Sequence, residues 1–194
     1  MIESKDDYKA YLEADRIALD RSREGFKARA LRLVAPDYIW LFQKLLRKAE
    51  YLGNVRSQRV MRKLMYPLVR MRLRNIAVKL GFSIPLNVFG PGLAIVHYGT
   101  IIVNENAKIG SNCRIHADTN IGASGGSSRA PVIGNNVYIA PGAKIYGDIS
   151  VPNNCAIGAN SVLNRTYLDE DMLIAGMPAK PIKRIDIRQL ISHV

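Results

Sequence analysis

The sequence predicts a mainly β fold, a triangular parallel β-helix, preceded by an α-helical arm. Three observations carry this expectation. Aliphatic residues recur every six positions between Val103 and Leu163, a period that neither a helix nor an alternating strand produces. The first 80 residues carry apolar positions at helical spacing instead. Charge divides at the same point: residues 1–80 hold 19 Lys+Arg against 9 Asp+Glu, and residues 81–194 hold 9 against 7, within a net charge of +12.

The arm reads as three helices. DYKAYLEADRIALDR has apolar residues on one face. Pro36 and Asp37 open a second helix, since proline has no N–H to leave unpaired there and aspartate suits the dipole. Its stripe runs through Ile39, Phe42, Leu45, Leu46 and Ala49, with Gly53 as the expected stop. A third helix is expected over 56–80, with Pro67 inside and Gly81 after it. Three helices bury too little surface to stand alone and should pack on the rest of the chain or on another subunit.

After Gly81 the rungs are Val103, Ile109, Ile115, Ile121, Ile133, Ile139, Ile145, Val151, Ile157 and Leu163. Only Ser127 breaks the phase, within ASGGSSRAP. Short strands winding around a prism satisfy this pattern, each aliphatic pointing inward and stacking on its equivalent eighteen residues on, about 4.8 Å along the axis. Gly or Ala directly after the aliphatic (Gly110, Gly134, Ala140) is expected to ease the corner. ASGGSSRAP becomes a loop extruded from one corner, where function tends to sit. The expected division is therefore 1–80 helical and basic, 81–176 β-helix, and 177–194 tail.

Composition excludes several classes. A hydrophobic share of 48% and a charged share of 23% are those of a folded globular chain. Residues 80–104 lack formal charge but contain four Gly, two Pro, two Asn and His97, which argues against a membrane span. The acidic, polar start does not read as a signal peptide, so a cytoplasmic location is expected. Cys113 and Cys155 have no metal-site spacing and read as small packing residues.

From Gly90 to Ile182 the chain resembles the left-handed hexapeptide-repeat acyltransferases, and among them the serine O-acetyltransferases and their relatives from surface-polysaccharide gene clusters. The runs carrying the resemblance are GPGLAIVHYGTIIVNENAKIG, NIGASGGSSRAPVIGNNVYIAPGAKIYGDI, CAIGANSVL and IAGMPAKPIK. It implies an acetyl-CoA-dependent O-acetyltransferase, a homotrimer with acetyl-CoA between neighbouring prisms, and no metal. His97 then takes the place of the general base, which a hydroxyl acceptor needs before it can attack. By phase alone His97 lies six before Val103 and could equally be an inward core histidine; His116 reads as a corner or trimer-contact residue. Glu105 is the acid that could support His97. Gly122, Ala123, Pro141 and Ala159 fall where the family lines its coenzyme. Lys180 and Lys183, with Arg184, could meet its phosphates.

The acceptor half departs from the serine enzymes. Phe82 stands where they have an orienting aspartate, and Val96 precedes the histidine. Their Arg-His pair becomes Arg129-Ala130. Arg129 remains as a carboxylate-binding residue, while Phe82 and Ala130 add apolar room for a larger acceptor. The acceptor is therefore serine-like or a sugar hydroxyl. The basic segment 56–79, with eight cations and no acid, opens two other readings. It could contact an anionic surface beside the enzyme's own chemistry. Alternatively the whole protein is a nucleic-acid- or membrane-surface-binding protein. An inactive hexapeptide scaffold is a third reading, apart from the basic segment.

Overall fold

A computed structural model describes residues 1–21, 36–55 and 60–194, the side chains of 60–63 excepted. Helix α1 (Lys5–Ala18) starts on a reciprocal cap: the Ser4 hydroxyl accepts from the Asp7 N–H at 3.0 Å and the Asp7 carboxylate accepts from the Ser4 N–H at 2.9 Å. Helix α2 (Tyr38–Asn54) opens on Asp37, which accepts from the Trp40 N–H at 2.9 Å. It runs one residue past the expected stop at Gly53. Helix α3 (Val60–Leu80) carries Pro67 inside it, and Gly81, at φ 78°, turns the chain away. Of the basic segment, residues 56–59 and the side chains of Arg62 and Lys63 lie outside the described residues.

Fourteen strands follow: β1 (Phe82–Ser83), β2 (Ala94–Ile95), β3 (Ile101–Val103), β4 (Lys108–Ile109), β5 (Arg114–Ile115), β6 (Thr119–Gly122), β7 (Val132–Ile133), β8 (Tyr138–Ile139), β9 (Lys144–Tyr146), β10 (Ser150–Val151), β11 (Ala156–Ile157), β12 (Val162–Leu163), β13 (Met172–Gly176) and β14 (Ala179–Arg184). They form a left-handed parallel β-helix of three sheets. The first runs β1-β3-β6-β9-β12, the second β4-β7-β10, and the third β2-β5-β8-β11-β13-β14. All pairings are parallel except β13 with β14. The rungs from Val103 to Leu163 are no more than 4% exposed.

Register reports where the loop leaves. Val103 pairs with Ile121 and Ile139 with Ile157, eighteen residues on. Ile109 pairs with Ile133, Ile115 with Ile139 and Ile121 with Ile145, twenty-four on. The extra six residues are the loop following Gly122. We call the corner from the third sheet to the first corner I, from first to second corner II, and from second to third corner III. The loop sits on corner II.

The turns are made differently from the sequence expectation. At corners I and III the residue that adopts the left-handed conformation stands three after the rung, not one: Asn112, Asp118, Asn136, Gly142, Asn154 and Asn160 all have φ between 54° and 78°. Gly110 and Gly134 serve close approach instead. A Cβ on Gly134 would lie 2.8 Å from the Asn153 N and the Pro152 carbonyl carbon. The Asn side chains at corner III add a ladder, Asn112 donating to Asn136 at 2.9 Å and Asn136 to Asn154 at 2.8 Å.

The arm caps the open end of the prism, which would otherwise leave backbone groups unpaired. Arg47, wholly buried, donates to Asp15 at 2.8 Å, Glu50 at 3.1 Å, and the Phe89 and Gly90 carbonyls at 2.9 and 2.7 Å. Asp15 accepts in turn from the Gly92 and Leu93 N–H groups. Gln43 donates to the Leu93 carbonyl and accepts from the Ile95 N–H. Burial disfavours the Arg47 charge, but Asp15 and Glu50 outweigh it and hold the guanidinium pKa above its ordinary value. At the other end β14 folds back on β13, and Ile187 and Ile191 cover Ala156 on the outer face of the third sheet. Among the described residues no helix is long and apolar enough to cross a membrane.

Candidate active site

Corner I carries the histidine. The six-residue phase would turn His97 inward, but it is exposed. The reason is local: Ile95, paired with Ile115, holds the rung, and eight residues separate it from Val103 instead of six. The surplus pushes His97 out at the corner, with Gly99 at φ 129° completing the turn.

Beneath His97 on the same corner stand Ala117, Pro141 and Ala159, one per coil. The stacking is fixed by backbone bonds: the Gly142 N–H donates to the Ala117 carbonyl at 3.1 Å and the Asn160 N–H to the Pro141 carbonyl at 3.0 Å. From the coil of His97 to that of Ala159 is three steps, about 14 Å. Pro141 and Ala159 are both exposed. Beside them, towards the third sheet, a cavity of about 310 Å³ is lined by Tyr138, Ala140, Gly158, Leu173, Lys183 and Leu190 among others. Lys180 is exposed on the same strand as Lys183. Small residues, an apolar groove and a lysine thus follow one another down a single edge. A long chain ending in phosphates fits that sequence of surfaces.

His116 is buried under His97, their ring centroids 6.1 Å apart, and its other neighbour is the Tyr138 ring at 4.9 Å. Its Nδ1 lies 2.9 Å from the Ile139 carbonyl, so that nitrogen carries the hydrogen and donates. Burial pushes the His116 pKa below its ordinary value, against the opposing pull of that carbonyl. The His116 ring is therefore fixed by its own carbonyl bond, with the exposed His97 ring above it. The corner position agrees with the sequence expectation; the bond itself depends on the coil below and leaves no mark in the sequence.

Corner II carries the remaining residues expected at the site. Glu105 is exposed there, Gly122 and Ala123 are half-buried, and the loop presents Arg129. Asn106 pins the loop by donating to the Ser128 carbonyl at 2.8 Å. Arg129 Nη1 meets Asp148 Oδ2 at 2.7 Å, with both side chains mostly exposed. Asp148 had no signal in the sequence because only the coil spacing brings it under the loop. His97, Pro141 and Ala159 are thus gathered on one corner; Glu105, Gly122, Ala123 and Arg129 on another, across the first sheet.

Phe82 and Ala130 do not supply the open apolar surface expected of them. Phe82 is 5% exposed and meets the Phe42 ring edge-on at 5.1 Å, where the arm packs on the prism. Ala130, also 5% exposed, belongs to the core. Cys113 is buried and its thiol is pushed up to about 12, and Cys155 is raised as well, again chiefly by burial. Burial thus disfavours the thiolate form of both. Among the described residues no group of three or more His, Cys, Asp or Glu could hold a metal ion.

Residues 130–165 match the family model for the bacterial transferase hexapeptide (six repeats). A serine acetyltransferase of Synechococcus elongatus is 35% identical over 101 residues, 51% of this chain and 41% of the relative; the chain thus spans less than half the length of that curated relative. Among solved structures, the serine acetyltransferase of Brucella abortus strain S19 is 26% identical with a TM-score of 0.69, covering 93% of this chain and 71% of that one. The same enzyme in complex with coenzyme A shares the fold at 24% identity and a TM-score of 0.64, covering 93% and 68%. The chain therefore carries hexapeptide repeats over residues 130–165 and is similar to serine acetyltransferases over half its length in sequence and over nearly all of it in fold.

Proposed function

We propose that the protein is an acetyl-CoA-dependent O-acetyltransferase acting on a hydroxyl acceptor, with His97 as general base. The observation that supports this most is the exposed His97 at the head of the small-residue edge on corner I, in a chain whose relatives are acetyltransferases. Acetyl-CoA supplies an acyl group on a thiolate leaving group that needs no metal or strong acid. Pro141, Ala159 and the groove by Lys183 hold its chain, and Lys180 and Lys183 its phosphates. His97 takes the proton of the acceptor hydroxyl as its oxygen attacks the thioester carbonyl. His116 holds the ring from beneath. The division between 1–80, 81–176 and 177–194 then separates a capping arm, the catalytic prism and a tail that closes the groove.

Glu105, Gly122, Ala123 and Arg129 join His97 only if corner II of one chain meets corner I of the next. We therefore propose a homotrimer, whose three-fold symmetry repeats that contact at each junction. A cytoplasmic setting goes with this reading.

The acceptor is serine or a serine-like hydroxy acid in the first reading, with Arg129 binding its carboxylate bidentately. One observation favours a sugar acceptor in polysaccharide synthesis as the second: Asp148 already occupies Arg129 at 2.7 Å, so an acceptor carboxylate would have to compete for it. Release of coenzyme A by the purified protein, with L-serine beside a panel of sugars and sugar nucleotides, tests both. Serine turnover whose KM rises about tenfold in Arg129→Lys, the worth of one charge-assisted bond, supports the first. Turnover with a sugar alone, indifferent to that change, supports the second. No release with any acceptor would leave the protein a scaffold.

A further inference from the structure

Helix α3 has two apolar faces. Val69, Leu73, Ile76 and Leu80 point into the molecule and are 8% exposed or less. On the opposite side Leu64, Leu68, Met71 and Val78, spaced four, three and seven apart, form a second stripe between 58% and 73% exposed. Exposed Asn75 interrupts the stripe between Met71 and Val78, but the apolar run still follows one side of a helix of 21 residues, about 30 Å long.

Cations flank that stripe. On the helical wheel Arg70 and Arg74 lie along one border and Arg72 and Lys79 along the other. All four are exposed. No acidic residue occurs between Val60 and Leu80. Among the described residues Arg70, Arg72 and Arg74 have no carboxylate partner, while Lys79 lies over the Tyr38 ring at 5.9 Å.

We propose that this face of α3 lies on an anionic lipid surface, the stripe entering the acyl boundary and the arginines meeting headgroup phosphates. The charge pattern selects this occupant. A second copy docking through the same stripe would bring four cations against four cations with no acid to offset them. A nucleic acid would satisfy the arginines but leave the apolar stripe in water. A lipid interface takes both, as amphipathic interfacial helices do. The inference is independent of the acetyl-transfer reading, since none of these residues belongs to either corner.

The test is flotation of the full chain with vesicles of phosphatidylcholine, with and without phosphatidylglycerol. Wild type is expected to float with the anionic vesicles, to stay behind with the neutral ones, and to be released by salt. Arg70→Gln/Arg72→Gln/Arg74→Gln should weaken anionic binding by about a hundredfold, at roughly 1 kcal/mol per cation. Leu64→Gln/Leu68→Gln/Met71→Gln should weaken it at least tenfold, with an unchanged melting temperature showing the fold intact. Equal flotation with neutral vesicles, or none with either, would overturn the proposal on wild type alone. So would tight binding of duplex DNA untouched by the apolar substitutions, or a doubling of mass in sedimentation that those substitutions abolish without any vesicle binding.

Discussion

His97 and Glu105 stand eight residues apart on one coil, yet they occupy different corners of the prism, the first between the third and first sheets and the second between the first and second. The first sheet lies between them.

Removing the exposed imidazole should separate catalysis from folding. His97→Ala is expected to lower kcat by about 10²–10⁴-fold. Because the side chain is exposed, the melting temperature should stay nearly where it was, a surface change being worth about 0.5 kcal/mol or less. Steady-state kinetics beside calorimetry checks both halves. A stability loss proportional to the activity loss would make His97 structural.

Acid should act through His116. Its pKa is lowered in the folded chain relative to the ordinary 6.5, so the unfolded chain binds more protons just below that value. Stability is then complete above pH 6.5 and falls as the pH drops through 6.5 towards the folded value. His193, likewise lowered by burial, adds to the same slope. Thermal melts across this range should show the decline, and His116→Asn, which keeps a donor for the Ile139 carbonyl, should flatten it.

The coil contacts predict a contrast between two glycines. Gly134→Ala puts a methyl 2.7 Å from Asn153 Oδ1 and 2.8 Å from the backbone beneath, and overpacking of that kind costs about 1–3 kcal/mol. Gly125, in the loop, has nothing within 4 Å of an added Cβ, so Gly125→Ala should be neutral. Urea midpoints of the two variants measure the difference.

Much of the fold is legible in the sequence. A period of six has few physical realisations, and the aliphatic ladder therefore specified the prism and, through Ser127, the place of its loop. The position of His97 was not legible by phase, because two surplus residues between Ile95 and Val103 leave no mark in a ladder that begins after them. The turn chemistry is present as Asn or Asp three after the rung, at Asn112, Asp118, Asn136 and Asn160, while Gly110 and Gly134 beside the rungs answer to close packing between coils. The buried Arg47 with Asp15 and Glu50 was hidden in principle: three charged residues on two amphipathic helices read as solvent-facing until the prism's open end needs them.

That cap gives its own expectation. Arg47→Ala leaves two carboxylates buried without their cation, which costs about 3–5 kcal/mol. Chemical denaturation should register a loss of that size. A loss below about 1 kcal/mol, the worth of a surface pair, would mean the arm does not close the prism.

The claim that one active site is built from two chains is tested most directly by mixing. One chain carries His97→Ala and is crippled at corner I; the other carries Glu105→Gln with Arg129→Ala and is crippled at corner II. Each alone should release almost no coenzyme A. Unfolded together in equal amounts and refolded, they should recover about a quarter of the wild-type rate, the share of junctions in a random trimer that pair two intact corners. Recovery no greater than the sum of the separate variants, from trimers shown to be mixed, would contradict the shared site and return the chemistry to a single chain.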